Sequence, residues 1–175
     1  FVLNYEYKSW IGGFNYHLNL FKSLKLFDNK IIIKIFVNKN ISKKNQLLLK
    51  DYKIIKTNYF DNSSIKNRLI KIISKLKILF FGYDKKIDEL LKKNKIDVLS
   101  HSLYLGKKSS ITSTPIIYDF QEIYNPRNFS FKDIMLRRLN HVMMSNHADK
   151  VILGGKHALE DYRKILKKRK TNGVV

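Results

Sequence analysis

Apolar and polar residues follow two periods along this chain, one strand-like and one helical. Phe1–Tyr5 predicts a first strand and Lys8–Gly13 a loop. Phe14, Leu18, Phe21 and Leu24 recur at helical spacing and predict an amphipathic helix reaching Phe27. Ile31–Val37, β-branched and interrupted by Lys34, predicts the second strand, and Tyr52–Thr57 the third. Ser64 stands where it can cap a helix with a core-facing stripe of Ile65, Leu69, Ile72, Ile73 and Leu76, broken at Gly82. A shorter helix over Lys85–Lys93 is expected to bury Ile87, Leu90 and Leu91. Ile96–His101 and Pro115–Phe120 predict two further strands. Ser130 opens a helix, and Asp133 three residues on makes a variant of the capping box. The stripe of that helix is Phe131, Ile134, Met135, Leu139, Val142 and Met143. Asp149–Leu153 predicts the last strand. Lys156–Lys168 predicts the last helix, carrying Leu159, Tyr162, Ile165 and Leu166.

Strands that alternate with helices imply a parallel sheet covered by helices. The expected fold is therefore α/β, a Rossmann-like doubly wound parallel sheet of roughly six βα units with helices on both faces. Its 175 residues suit one domain. In such folds ligands bind outside the carboxyl ends of the strands. Trp10–Asn15, His101–Gly106, Asp119–Arg127 and Gly154–His157 are the segments expected there.

Composition narrows the chemistry. No cysteine is present, which removes disulfides, thiolate catalysis and Cys-based zinc sites. No apolar run is long enough for a membrane-spanning helix, and no signal peptide is visible. The expected location is cytoplasmic, with room for a peripheral position on the inner face of a membrane. The formal net charge is +21. Most of it is Lys, which accompanies abundant Ile and Asn; Arg occurs only at 68, 127, 137, 138, 163 and 169. A codon-level bias toward Lys, Ile and Asn is the first reading of that charge. Attraction to an anionic membrane is the second and nucleic-acid binding the third, because bidentate recognition of bases and phosphates favours Arg. No specific nucleic-acid partner is expected.

Candidate chemistry lies in three of the four segments. Gly12 and Gly13 stand between a strand and a helix, where backbone can approach a phosphate or simply turn. His101 ends a strand, either to bond a ligand hydroxyl or phosphate or as a packed structural histidine. The run Tyr118-Asp119-Phe120-Gln121-Glu122-Ile123-Tyr124-Asn125-Pro126 passes directly from a buried strand into carboxylates and amides. Those groups suit sugar hydroxyls, and Asp119 or Glu122 can serve as a base; the alternative is a solvated loop with Asp119 capping a turn. His17 lies beside core positions of a helix. His141 and His147, six apart, fall on different helix faces, and no set of residues has metal-ligand spacing.

Three motifs, in this order, resemble the N-terminal domain of family 4 glycosyltransferases of the GT-B fold. Trp10-Ile-Gly-Gly-Phe-Asn-Tyr with Asn19-Leu20 is similar to the family's Gly-Gly loop and first helix. Tyr118-Asp119-Phe120-Gln121, then Pro126 and Phe129-Ser130, resembles its Asp-Phe-Gln, Pro and Phe-Ser segment. Ala148-Asp149-Lys150-Val151-Ile152-Leu153 resembles its Ala-Asp-x-Val-Ile strand.

The resemblance covers nearly the whole chain and implies a nucleotide-sugar-dependent transferase, with no cofactor beyond its nucleotide-sugar co-substrate and no bound metal. It implies a glycan or lipid-linked acceptor, as in cell-surface polysaccharide synthesis. It places Gly12 and Gly13 near the donor phosphates. Asp119 and Glu122 are the candidate catalytic groups, and His101, Tyr118, Gln121, Asn125, Arg127 and Lys156 the acceptor side. Tyr118 stands where many relatives carry His, so a catalytic His does not carry over. The start at Phe1 and the end at Val175 lead us to expect a fragment lacking a C-terminal donor domain, inactive by itself. The rival expectation is a non-enzymatic basic α/β module that binds RNA or an anionic membrane surface.

Overall fold

Three short apolar segments among the first sixty residues pair side by side in parallel. In this computed structural model, residues 1–60, 65–166 and 173–174 are described. The chain divides into two units, Phe1–Ile72 and Ile73–Val175.

In the first unit, β1 (Val2–Leu3), β2 (Lys34–Val37) and β3 (Lys53–Lys56) form a parallel sheet in the order β1-β2-β3. Val2 faces Phe36, and Ile35 faces Ile54. The central strand buries both Ile35 and Phe36, one toward each face, as a strand covered on both sides does. Helix α1 (Ile11–Phe27) joins β1 to β2, and α2 (Lys43–Leu48) joins β2 to β3. Phe14 and Phe21 of α1 pack with Leu3, Ile35, Val37 and Leu49. The buried His17 ring lies 2.9 Å from the Tyr5 hydroxyl and 2.8 Å from the Gly13 carbonyl. Helix α2 has no counterpart in the apolar pattern, because polar capping fixes it. Ser42 Oγ caps it, and buried Asn45 bonds the backbone of Tyr7 and Tyr5.

The second unit holds α4 (Lys85–Lys93), β4 (Val98–Ser100), β5 (Thr112–Thr114), β6 (Ile116–Ile117) and α5 (Gln121–Tyr124). A 3-10 turn (Pro126–Asn128), α6 (Phe131–His147), β7 (Val151–Leu153), α7 (Lys156–Ile165) and β8 (Gly173–Val174) follow. Helix α3 (Ile65–Phe81) runs across the division. β4 pairs with β5, while β6, β7 and β8 pair in that order, all parallel.

Only Pro115 separates β5 from β6. Thr114 O accepts from His101 N–H on one edge of this run. Ser113 O, Pro115 O and Ile117 O accept from Asp149, Ile152 and Gly154 N–H on the other. Successive carbonyls of an extended chain point to opposite edges. Residues 112–117 therefore act as one strand with β4 on one side and β7 on the other. Pro115 accepts from Ile152 on the β7 edge but has no N–H to return, so the strand gives up one ladder bond there.

The structure departs from expectation at several places. The expected loop Lys8–Gly13 ends early: α1 starts at Ile11, so both glycines lie in its first turn, with the Trp10 ring folded over Gly13. Ile31 and Ile32 precede β2 and are exposed. The stripe of α3 faces outward at Leu69, Ile72, Ile73 and Leu76, while Ser74 and Ile78 form the buried side. Phe131, Met135 and Leu139 of α6 are exposed too; Val142, Met143 and Met144 reach the core. Ser64 and Lys168 lie outside the described residues. The Ser130 cap forms as expected, accepting from Asp133 N–H at 3.1 Å. Among the described residues no helix is long and apolar enough to cross a membrane.

The end of β7 passes very close to the end of β6. A Cβ added at Gly154 would stand 2.5 Å from the Tyr118 carbonyl oxygen and 3.0 Å from its Cα. Backbone cannot yield as a side-chain tip does, so Gly154→Ala is expected to destabilise the protein by about 2 kcal/mol, read from urea denaturation. An unchanged midpoint would show that the strand ends have room between them.

Candidate functional site

Segments Asp119–Arg127 and Gly154–His157 leave the same edge of the β6–β7 pair, as the Gly154 N–H to Ile117 O bond of 3.0 Å requires. Asp119 is half-buried, and its carboxylate accepts from Gln121 N–H at 3.3 Å, starting the single turn of α5. Phe120 anchors that turn in the core. Its ring meets His141 edge-on, with centroids 4.9 Å apart.

The anchoring of Phe120 draws Glu122 inward. Glu122 is 0% exposed. Its carboxylate lies 3.5 Å from His141 Nδ1 and 4.0 Å from Arg137 Nη1, and neither oxygen receives a hydrogen bond. Those distances exceed hydrogen-bond length, so the attraction offsets little of the cost of taking a carboxylate out of water. The group borders a pocket of ≈ 330 Å³ whose walls include Phe120, Ile123, His141, Val142 and Leu166. The Tyr124 hydroxyl donates to buried Asp161 on α7, which ties α5 to that helix. That bond, more than burial, pushes the Tyr124 hydroxyl pKa up.

Burial holds the His141 pKa below its ordinary 6.5, and the Arg137 charge lowers it further; Glu122 and Asp119 pull the other way. The imidazole is therefore neutral near pH 7, and one ring nitrogen can accept a proton. A carboxylate and a neutral imidazole together beside a mainly apolar pocket can orient a hydroxyl and take its proton.

Among the acceptor-side residues, Gln121, Asn125 and Arg127 are exposed along the same segment, and Lys156 is exposed in the first turn of α7. Tyr118 is half-buried beside Gly154. His101 directly follows β4 with φ 57°, a conformation rare for a residue with a side chain; its Nδ1 lies 2.7 Å from Ser100 Oγ. In the first unit, Gly12 has open space where a Cβ would stand, whereas Gly13 is buried under Trp10. Among the described residues, no group of three His, Asp or Glu could hold a metal ion.

Sequence reasoning passed over His141 and Arg137. The comparison of His141 with His147 across helix faces hid the relevant spacing, which is Arg137 to His141. Four residues apart, these two share one face of α6. No family model, curated protein or solved structure matches the chain.

These directions set the pH response. A histidine whose native pKa lies below the unfolded value adds stability that is complete above 6.5 and is lost as pH falls below it. His17 shifts the same way, mainly through burial. The urea midpoint should accordingly drop from pH 7 to pH 5. In NMR titrations Glu122→Gln should lower the His141 pKa further and Arg137→Gln should raise it. Identical titration in all three proteins would show that the groups do not interact.

Proposed function

We propose that this chain is a Rossmann-like acceptor-side domain of a nucleotide-sugar-dependent glycosyltransferase, and that the pocket beside Glu122 and His141 receives the acceptor. The observation that carries this reading is a fully buried carboxylate without a hydrogen bond, held beside a neutral imidazole where a core strand ends. Buried polar groups in folded proteins are nearly always satisfied, and perturbed titratable pairs in concave sites gather where ligands bind. An acceptor hydroxyl would supply the missing donor. The ring of Phe120 and the aliphatic wall would meet the apolar face of a sugar, while Asp119, Gln121 and Asn125 offer the paired donors and acceptors that its hydroxyls need. The motif resemblance supports the same reading.

Glycosyl transfer forms a bond from the acceptor oxygen to the anomeric carbon. It breaks the bond from that carbon to the donor phosphate oxygen, which leaves with the electron pair. The acceptor hydroxyl proton must go to a base. Glu122 takes that proton, Arg137 steadies the carboxylate through its charge, the neutral His141 holds its position, and Asp119 orients the hydroxyl. In the first unit, Gly12 at the start of the 17-residue α1 supports the donor-phosphate role, since nothing covers its α-carbon and no acidic residue lies in the first turn. Gly13, covered by Trp10, serves by packing.

The test is transfer from labelled nucleotide sugars to isolated lipid-linked and glycan acceptors, using the protein of the whole gene. Glu122→Gln should lower kcat at least about a hundredfold, the range of a lost general base, with a smaller effect from Asp119→Asn. Full activity in Glu122→Gln would refute the assignment of the base. Absence of transfer with every nucleotide sugar would refute the reaction class.

A further inference from the structure

The outward stripe of α3 is the surface feature that neither the core nor the proposed pocket uses. Within the second unit, Ile73, Leu76 and Phe80 follow i, i+3, i+7 spacing on one face and are 52%, 47% and 75% exposed. The opposite face, Ser74 and Ile78, is the buried one. A helix normally turns its apolar stripe to the core; this one turns it to solvent. Lys75 and Lys77 flank the stripe, and Lys77 stays partly exposed while reaching Asp84 at 3.9 Å. The 17-residue sequence of α3 contains no acidic residue.

We propose that α3 is a membrane-docking helix that lies in the plane of an anionic bilayer, with Ile73, Leu76 and Phe80 inserted and the flanking lysines at the lipid phosphates. An apolar stripe edged with lysines is the pattern of interfacial helices. At 17 residues, about 25 Å of helix, α3 is too short to span a bilayer. Charge selects the occupant. A second copy would set +21 against +21, whereas an anionic leaflet complements both the helix and the chain. Nucleic acid would meet the lysines but leave the apolar stripe in water. The proposal does not depend on the transfer reaction.

The experiment is flotation of the chain with vesicles of phosphatidylcholine alone or with roughly one third phosphatidylglycerol, enough to make the surface anionic. The chain should float with the anionic vesicles and stay behind with the neutral ones. Leu76→Asp with Phe80→Asp should weaken partitioning at least about tenfold while leaving the circular dichroism spectrum unchanged, since both positions are exposed. Phe80→Trp should give a blue-shifted emission on anionic vesicles, over the background of the single native tryptophan, Trp10. Three results would each overturn the proposal: undiminished binding of the double aspartate variant, an unshifted Phe80→Trp emission, or a dimer by light scattering that the double variant dissolves.

Discussion

The two-edged strand at residues 112–117 governs the second unit. Its carbonyls alternate between β4 on one side and β7 on the other, so it can neither slip nor fray without breaking both ladders. Phe120 extends that constraint past the strand end by locking into the core among Ile117, Met144 and Leu153. Once Phe120 is fixed, the single turn of α5 has one place to go. The absence of a side chain at Gly154 lets β7 end against it. The burial of Glu122 and the link from Tyr124 to Asp161 both follow from this geometry.

That geometry is costly at one point. Elsewhere in the unit, buried carboxylates are well bonded. Asp88 accepts from Ser109 and Ser110, and Asp84 accepts from Lys86 N–H. Glu122 differs, with two oxygens buried, a long ionic approach from Arg137 and a neutral imidazole 3.5 Å away. The other buried carboxylates of the unit each receive a hydrogen bond, and the one bordering the pocket receives none. Sites that bind ligands commonly carry such locally unfavourable arrangements.

The order of elements was legible in the sequence because strand and helix periods are strong where segments are buried on one side. The Ser130 cap was legible because one hydroxyl and one carboxylate at fixed spacing carry it. Helix α2 was not, because Asn45 and Ser42 hold it through long-range and capping bonds that leave no apolar period. The orientation of α3 was misread for a physical reason: periodicity reveals that a helix has an apolar face, not that the face turns inward. In the site, Asp119 and Glu122 stood out as carboxylates after a strand. Their partner His141 comes from another helix and becomes visible only once Phe120 and α6 pack together.

The central claim is that Glu122 is buried for chemistry and not for stability. The most direct measurement is the unfolding free energy of Glu122→Met, which keeps the volume and removes the charge. If the carboxylate is an unsatisfied functional group, the variant should be as stable as the native protein or more stable, as when poorly compensated buried charges give way to apolar side chains. A loss of about 3 kcal/mol or more, the cost of breaking a well-formed buried ion pair, would instead make Glu122, His141 and Arg137 a structural cluster and contradict the account.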